Sequence, residues 1–367
     1  MSNSSNQARA ITRSRVTQAD VAREAGVSIS VVSRALAGDP ALRARPETRA
    51  RIQEAADTLG YTPSHAARAL RLSRAFAVGL IVPELTNPIY DQLIRGVEET
   101  ADGLGYQVLM GRVERVEPGT DFLTRLAREG RADGFLVQRR DATEARDFWP
   151  LIEAAGRPVV LINSRGRRRG SVVHDDVSGA RIATEHLLAL GHRAIAFVGG
   201  DSRSHTSSAR EAGYLKAIRA AGMRKRSDWI LHQRYEPEAG RAAVRDLCTT
   251  GRRRPTAMVV ANAMEAIGVL RGAREIGLKV PDQLSVVAIH DWWAADYLRP
   301  ALTTVRLPQY QLGQEAMHLL HRQLEGGTAE DITIVDPPPQ LIERESTAPA
   351  PRRIIRAQLP ATQPCPA

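Results

Sequence analysis

From Ala75 to about residue 345 the chain repeats one rhythm: a short apolar run, a stretch with helical spacing, then another apolar run. Residues 77–82, 107–110, 134–137 and 159–162 form short, largely apolar runs, with helical spacing at 88–104. The rhythm restarts with a helical stretch at 178–190, followed by runs at 194–198, 257–260 and 285–289. Strands alternating with helices predict parallel sheets covered by helices on both faces. About 270 residues of this pattern exceed one ordinary core and predict two such lobes with a cleft between them. Ligands of open α/β sheets bind outside the carboxyl ends of the strands. The positions to watch are therefore 83–87, Gln138, Asn163, 199–202, Asn262 and 290–293.

The first 62 residues read differently. Residues 1–15 are polar and predict a disordered arm, and residues 17–59 read as three short helices. Thr17 is placed to cap the first, with Asp20 three residues on as its capping-box partner, and Val21, Ala22 and Ala25 form an apolar face. Gly26 permits a tight turn. Ser28 is placed to cap a second helix whose inner face is Val32, Ala35 and Leu36. Pro46 suits the first position of a third helix, with Ile52, Ala55, Ala56 and Leu59 inward and Gly60 as its stop. Two helices joined by a short Gly-containing turn form the helix-turn-helix pattern, whose second helix enters the DNA major groove by its N-terminal residues. Here Ile29, Ser30 and Arg34 are exposed near that start; Ile suits a thymine methyl and Arg a guanine edge. A small three-helix bundle without a DNA role has the same periodicity.

Charge separates these readings only in part. The net charge is +10, and residues 1–74 hold twelve Arg against six acidic residues, a local excess of six. A basic excess there suits a polyanion, because neutralising phosphates releases counterions; a solvated basic surface has the same composition. The two cysteines, Cys248 and Cys365, lack metal-ligand spacing and form no disulfide framework. The N-terminus lacks the apolar stretch of a signal peptide, and no apolar run approaches the ~20 residues of a membrane span. A cytoplasmic, nucleoid-associated protein is expected. The Pro- and Ala-rich residues 346–367 predict a disordered tail.

Several motifs in a fixed order sharpen this reading. VTQADVAREAGVSISVVSRAL (16–36) is followed by ETRARI, LGYTP and AARAL, then VGLIVPELTNP (78–88), DGFLV and RPVVLIN. GARIATEHLLALGHRAIAFVGG (179–200), REAGY, PTAMVVAN, VPDQLSVVAI and PALTTVR complete the series. Together they resemble the LacI/GalR family of transcriptional regulators over nearly the whole chain. The resemblance implies an all-α helix-turn-helix headpiece (16–62), a hinge helix or linker (63–74), and a periplasmic-binding-protein-like effector domain of two doubly wound parallel-sheet lobes (75–345). It implies a homodimeric repressor on palindromic double-stranded operator DNA, controlled by a small-molecule effector, with no cofactor, catalytic residue or metal.

The implied DNA-binding residues are Thr17, Ser28, Ile29, Ser30, Ser33, Arg34, Arg49, Arg68 and Leu70. Leu70 occupies the position of the family's minor-groove wedge, which kinks the duplex; an ordinary linker residue is the alternative. Arg13, Arg15, Arg43 and Arg45 join Arg49 and Arg68 as candidate phosphate contacts. The implied effector residues are Asn87, Tyr90, Asn163, Arg210, Tyr235, Asn262, His290 and Asp291. Each has a plainer reading: Arg210 could pair with Glu211, Tyr235 could belong to the core, and Asn262 could cap a helix.

The sequence departs from the family pattern in ways that bear on the effector. Val31 replaces a usual Thr, and DPALRARP lengthens the link between the second and third helices. In the effector domain, Ala263 and His290 stand at two usual Asp positions, and Asn163 stands where lactose-type repressors carry a third. Carboxylates accept strong hydrogen bonds from sugar hydroxyls. Their replacement, with Arg210 retained and His205 near the same mouth, predicts a carboxylate- or phosphate-bearing metabolite in preference to a neutral sugar. Asp291 argues the other way, and Tyr235, Trp292 and Trp293 could supply flat walls. Enzyme readings find little support: no G-x-G-x-x-G follows a strand, no G-x-S-x-G elbow is present, and His186 and His192 lie six apart.

Overall fold

The computed structural model describes residues 16–37, 39, 41–62, 69, 72–85, 87–112, 126, 128–139, 156–166, 169–249 and 254–351. The chain divides into two compact units, Met1–Arg74 and Ala75–Ala367. In the first, α1 (Gln18–Ala25), α2 (Ile29–Leu36) and α3 (Pro46–Leu59) enclose Val21, Ala22, Ala25, Val32, Ile52, Ala55 and Ala56. The local signals operate as expected. Asp20 accepts from both the Thr17 amide and hydroxyl, closing a capping box, and Ser28 accepts from the Val31 amide at 3.4 Å. Gly26 and Gly60 end their helices at φ 63° and 65°, the left-handed region in which a side chain is costly.

The second unit has two six-stranded sheets. The first runs β11–β5–β4–β3–β1–β2, all parallel, from β1 (Ala77–Val82), β2 (Gln107–Arg112), β3 (Gly134–Gln138), β4 (Val159–Ile162), β5 (Gly170–His174) and β11 (Asp331–Ile334). The second runs β12–β10–β9–β8–β6–β7, from β6 (Ile195–Gly199), β7 (Ile230–His232), β8 (Ala257–Val260), β9 (Ser285–Ile289), β10 (Thr303–Arg306) and β12 (Gln340–Ile342). Only β12 in that sheet is antiparallel to its neighbour. Every residue of β1, β4, β5, β6, β8 and β9 is buried, because parallel strands are covered on both faces; β1, β4, β6 and β8 are accordingly continuous apolar runs, while β5 and β9 also bury Ser171, His174 and Ser285.

Among the described residues, the α-helices of this unit are α4 (Asp91–Gly103), α5 (Asp176–Ala189), α6 (His205–Ala220), α7 (Pro237–Thr249), α8 (Ala263–Glu275) and α9 (Gln309–Leu324). Glycines bring three helix pairs into backbone contact, α5 and α6 among them, where a Cβ on Gly213 would stand 2.2 Å from the Val177 carbonyl oxygen. A Cβ on Gly96 of α4 would stand 2.2 Å from the Tyr310 carbonyl oxygen of α9, and one on Gly268 of α8 would stand 1.7 Å from that of Pro237. The chain passes between the lobes three times, at 174–176, 306–309 and 334–340.

Two expectations need correction. The helix expected at 88–104 begins as a 3-10 turn, Pro88–Tyr90, because Asn87 caps it early by accepting from the Ile89 amide. The tail expected to be disordered from 346 is ordered as far as Pro351. Ser346 is fully buried and exchanges hydrogen bonds with Val286, its carbonyl accepting at 2.8 Å and its hydroxyl donating at 2.6 Å. The Ala350 amide donates to Leu190. Backbone pairing to β9 outweighs a composition that, read locally, predicts no structure.

Candidate functional site

In the headpiece the first turn of α2 presents Ile29, 51% exposed, and Ser30 to solvent, with Arg34 exposed one turn on. Arg34 does not extend freely: its Nε donates to Asp39 at 2.8 Å, which aligns the guanidinium along the helix end. Thr17 and Ser28 spend their hydroxyls on caps, and Ser33 is half-buried. Arg49 donates to the Leu42 carbonyl at 2.7 Å and thereby ties the long link to α3. Val31 packs against the headpiece core, so the missing hydroxyl is replaced by apolar contact. Arg13, Arg15, Arg68 and Leu70 lie outside the described residues.

In the second unit a cavity of about 730 Å3 opens between the lobes, at the carboxyl ends of β1, β3 and β4 on one side and β6, β7 and β8 on the other. Both sheets reverse strand order there, β1 lying between β2 and β3 and β6 between β7 and β8. Asn87, Tyr90, Asn163, Tyr235 and Asn262 line it, as does His205. Gln138 donates to the Tyr90 hydroxyl at 3.3 Å. Gly200 makes room for Tyr235: a Cβ there would stand 2.5 Å from the ring. Asn262 caps α8, its amide oxygen accepting from the Met264 amide at 2.7 Å, and Asn87 caps its 3-10 turn in the same way. Both amides therefore turn their oxygens to the backbone and keep N–H groups for the cavity. Burial lowers the pKa of His205.

Arg210, His290 and Asp291 do not line this cavity. Arg210 does not pair with Glu211, which binds Lys225 instead. It is 2% exposed and sits beneath the floor, donating by Nε to Asp176 at 2.7 Å, by Nη1 to the Ala261 carbonyl, and by Nη2 towards His290 Nε2 at 2.9 Å. A guanidinium only donates, so His290 Nε2 holds a lone pair and the ring proton sits on Nδ1. Nδ1 lies 2.9 Å from the Gln309 side-chain amide, whose oxygen has no other partner. Turning that amide so that its oxygen accepts from Nδ1–H satisfies both groups.

His290 holds φ at 73°, an uncommon conformation for a bulky residue, and its ring lies edge-on to His174 at 6.3 Å. Burial, reinforced by the Arg210 charge, pushes His290 well below the ordinary histidine range. Burial likewise lowers His174 to about 4, against the attraction of Asp176. Asp176, His174 and Gln309 flank two of the three crossings between the lobes, so this buried polar chain links the lobes beneath the cavity.

Asp291 was expected in the pocket because it follows the strand end directly. Its carboxylate instead turns to the opposite side, accepting from Thr304 at 2.7 Å and from Arg306, with Arg344 at 2.9 Å. Burial alone would raise its pKa, but these partners hold it below the usual carboxylate value. Trp292 is buried beside it and Trp293 is 71% exposed; neither lines the cavity.

Charged residues on the loops around the mouth were not singled out individually from the sequence, although Glu84 and Asp201 lie within the watched segments 83–87 and 199–202. Glu84, Arg139, Arg165, Asp201, Arg203, Arg234 and Glu236 line the mouth. Arg203 forms a bidentate pair with Asp201, whose pKa falls to about 2 through those hydrogen bonds, and Arg234 pairs with Glu236 at 3.1 Å. Arg165 donates to Ser171 and Thr333 at 2.8 and 2.7 Å. Their signal was position after a strand end; β7, too short to notice, hid Arg234 and Glu236.

Comparison with known proteins finds matches in both units of the chain. The lacI family of bacterial regulatory proteins matches residues 17–64, and the periplasmic binding protein-like domain matches 184–347. The HTH-type transcriptional repressor PurR of Erwinia tasmaniensis is 32% identical over 341 residues, covering 92% of this chain and 98% of that one. A LacI family transcriptional regulator from Mycobacterium smegmatis is 39% identical over 74% of this chain and 99% of its own, with a TM-score of 0.68. The lac repressor dimer bound to operator and the anti-inducer ONPF is 26% identical over 91% of this chain and all of its own, with a TM-score of 0.71.

Proposed function

Because the chain belongs to the lacI family of bacterial regulatory proteins, we propose that it is a dimeric repressor whose operator affinity is set by an acceptor-rich, anionic metabolite in the interlobe cavity. Its relatives are transcriptional repressors and not enzymes, and none of the described helices is long and apolar enough to cross a membrane. Two α2 helices related by a two-fold axis read the two halves of a palindromic site. Ile29, Ser30 and Arg34 face the bases, while Thr17, Ser28 and Arg49 fix the helices that present them.

One observation carries the effector reading: the cavity offers donors. Asn87 and Asn262 have committed their amide oxygens to the backbone, Arg165 and His205 stand at the rim, and two of the rim carboxylates are neutralised by arginine. Asp291, the carboxylate that best suited a diol, lies elsewhere. Arg210 supports the floor through Asp176 and His290, and the ligand's acceptors meet Arg165 and the Asn87 and Asn262 N–H groups instead.

The test is fluorescence anisotropy on the DNA upstream of its own coding sequence, joined to a thermal-shift screen of organic acids, sugar phosphates and neutral sugars. Steeply salt-dependent binding, and stabilisation by an anionic compound that Asn262→Ala and Arg165→Ala weaken, are expected. Stabilisation by a neutral sugar alone would overturn the effector reading. Absence of any saturable binding to that DNA or to palindromic variants would overturn the operator reading.

A further inference from the structure

A second cavity, of about 550 Å3, lies on the other edge of the second sheet, at the amino ends of β6 and β8. It is therefore remote from the interlobe cavity, which opens at the carboxyl ends of the same strands. Arg193, Arg224, Arg226 and Arg254 line it, and none of its lining residues is acidic. Trp229 and Met223 supply apolar wall. Its size falls within the range of small-molecule sites.

Three of the four arginines have identifiable surroundings. Arg193 donates to the Leu188 and His192 carbonyls at 3.2 and 3.0 Å, which fixes it at the end of α5. Arg226 lies over the Trp229 ring at 4.1 Å and pairs with Asp228. Arg224 is exposed at the rim.

Arg254 differs from them. It is 7% exposed, its Nε and Nη1 are buried without a hydrogen-bond partner, and it forms no ion pair among the described residues. Burial pulls its pKa down, yet a guanidinium stays charged in any protein environment. An isolated charge taken from water costs several kcal/mol unless an opposite charge accompanies it. The chain does not supply one nearby in sequence: neither residues 250–253 nor residues 352–367, which follow the Ala350–Pro351 edge of the cavity, contain an acidic side chain.

We propose that this cavity is a second ligand site, taking a phosphoryl group against Arg254 with Arg193 and Arg224 completing its charge neutralisation. A phosphate offers three acceptor oxygens, matched to several guanidinium forks at once. The remainder of an organic phosphate would lie on the Trp229 and Met223 wall, whereas inorganic phosphate would leave that wall uncovered. The site rests on Arg254 and not on the effector reading above.

The experiment is isothermal titration of the full chain with glucose 6-phosphate, inorganic phosphate and glucose, in phosphate-free buffer. The variants are Arg254→Met, Arg224→Ala and, for the interlobe cavity, Asn262→Ala. Binding of at least one phosphate, with glucose inert, is expected. Arg254→Met should weaken it roughly tenfold or more and Arg224→Ala measurably, while Asn262→Ala leaves this event intact. Arg254→Met should also melt higher than the wild type without phosphate, since it removes an uncompensated buried charge. Preference for glucose 6-phosphate over inorganic phosphate identifies an organic ligand, and equal affinity identifies a free-phosphate site. No phosphate binding, or binding that Asn262→Ala abolishes and both arginine variants leave unchanged, overturns the proposal. If Arg254→Met fails to fold, Arg224→Ala on the exposed rim decides alone.

Discussion

Replacing Asp176 by Asn tests the buried chain beneath the interlobe cavity at its one formal ion pair. The carboxylate stands 2.7 Å from Arg210 Nε, and their side chains are 0% and 2% exposed. Asn keeps the shape and one acceptor but removes the charge. Arg210 then keeps only neutral acceptors: the Asn oxygen, the Ala261 carbonyl and the His290 lone pair. Leaving one member of a buried pair uncompensated costs about 3–5 kcal/mol, more than the pair contributes over an apolar substitute. The double variant Asp176→Leu with Arg210→Met should therefore lose less than Asp176→Asn alone. Its remaining penalty is the unpartnered His290 lone pair and Ala261 carbonyl, about 1–3 kcal/mol each. The assay is urea unfolding followed by tryptophan fluorescence. All four Trp lie beyond residue 148, with Trp229 and Trp292 buried in the lobe that holds Arg210, so the headpiece is silent. A loss under about 1 kcal/mol for Asp176→Asn, or a double variant as unstable as the summed singles, refutes the reasoning.

Protons should act on the same chain. His174, held neutral down to about pH 4 when folded, binds its proton near 6.5 when unfolded, so stability is fully present above about 6.5 and falls as pH drops towards 4. The loss from His174 alone is roughly 3 kcal/mol. Thermal melts of His174→Leu should be flatter across that window; an unchanged slope refutes the assignment. The comparison separates it from Glu265, whose pKa burial raises and whose contribution has the opposite sign. In the headpiece, Arg34→Ala should cost on the order of 1–3 kcal/mol in operator binding and relax preference at one base pair; a uniform loss over all operator variants would make Arg34 a phosphate contact. Gly268→Ala should destabilise by about 2 kcal/mol or more, because the new methyl meets the rigid Pro237 carbonyl at 1.7 Å; an unchanged melting temperature would show that α7 and α8 slide apart freely.

What the sequence by itself determined are features whose causes are local. The Thr17–Asp20 box, the Ser28 cap and the Gly60 stop each act within a few residues, and the strands around 257–260 and 286–289 declare themselves by uninterrupted apolar side chains. Strand ends also pointed to Asn87, Asn163 and Asn262, because a parallel sheet delivers its loops to one edge. Only the tertiary structure decided which polar residue faces ligand and which faces protein. Arg210 meets Asp176 across 34 positions and His290 across 80, and Asp291 turns to Arg344 across 53, so no local rule separates a pocket arginine from a buried one. The same holds for Ser346, ordered by a strand 60 residues away, and for Arg254, whose missing partner is visible only once the walls around it have closed. Side-chain charge is written in the sequence, but its desolvation depends on the whole fold, and desolvation sets what that charge does.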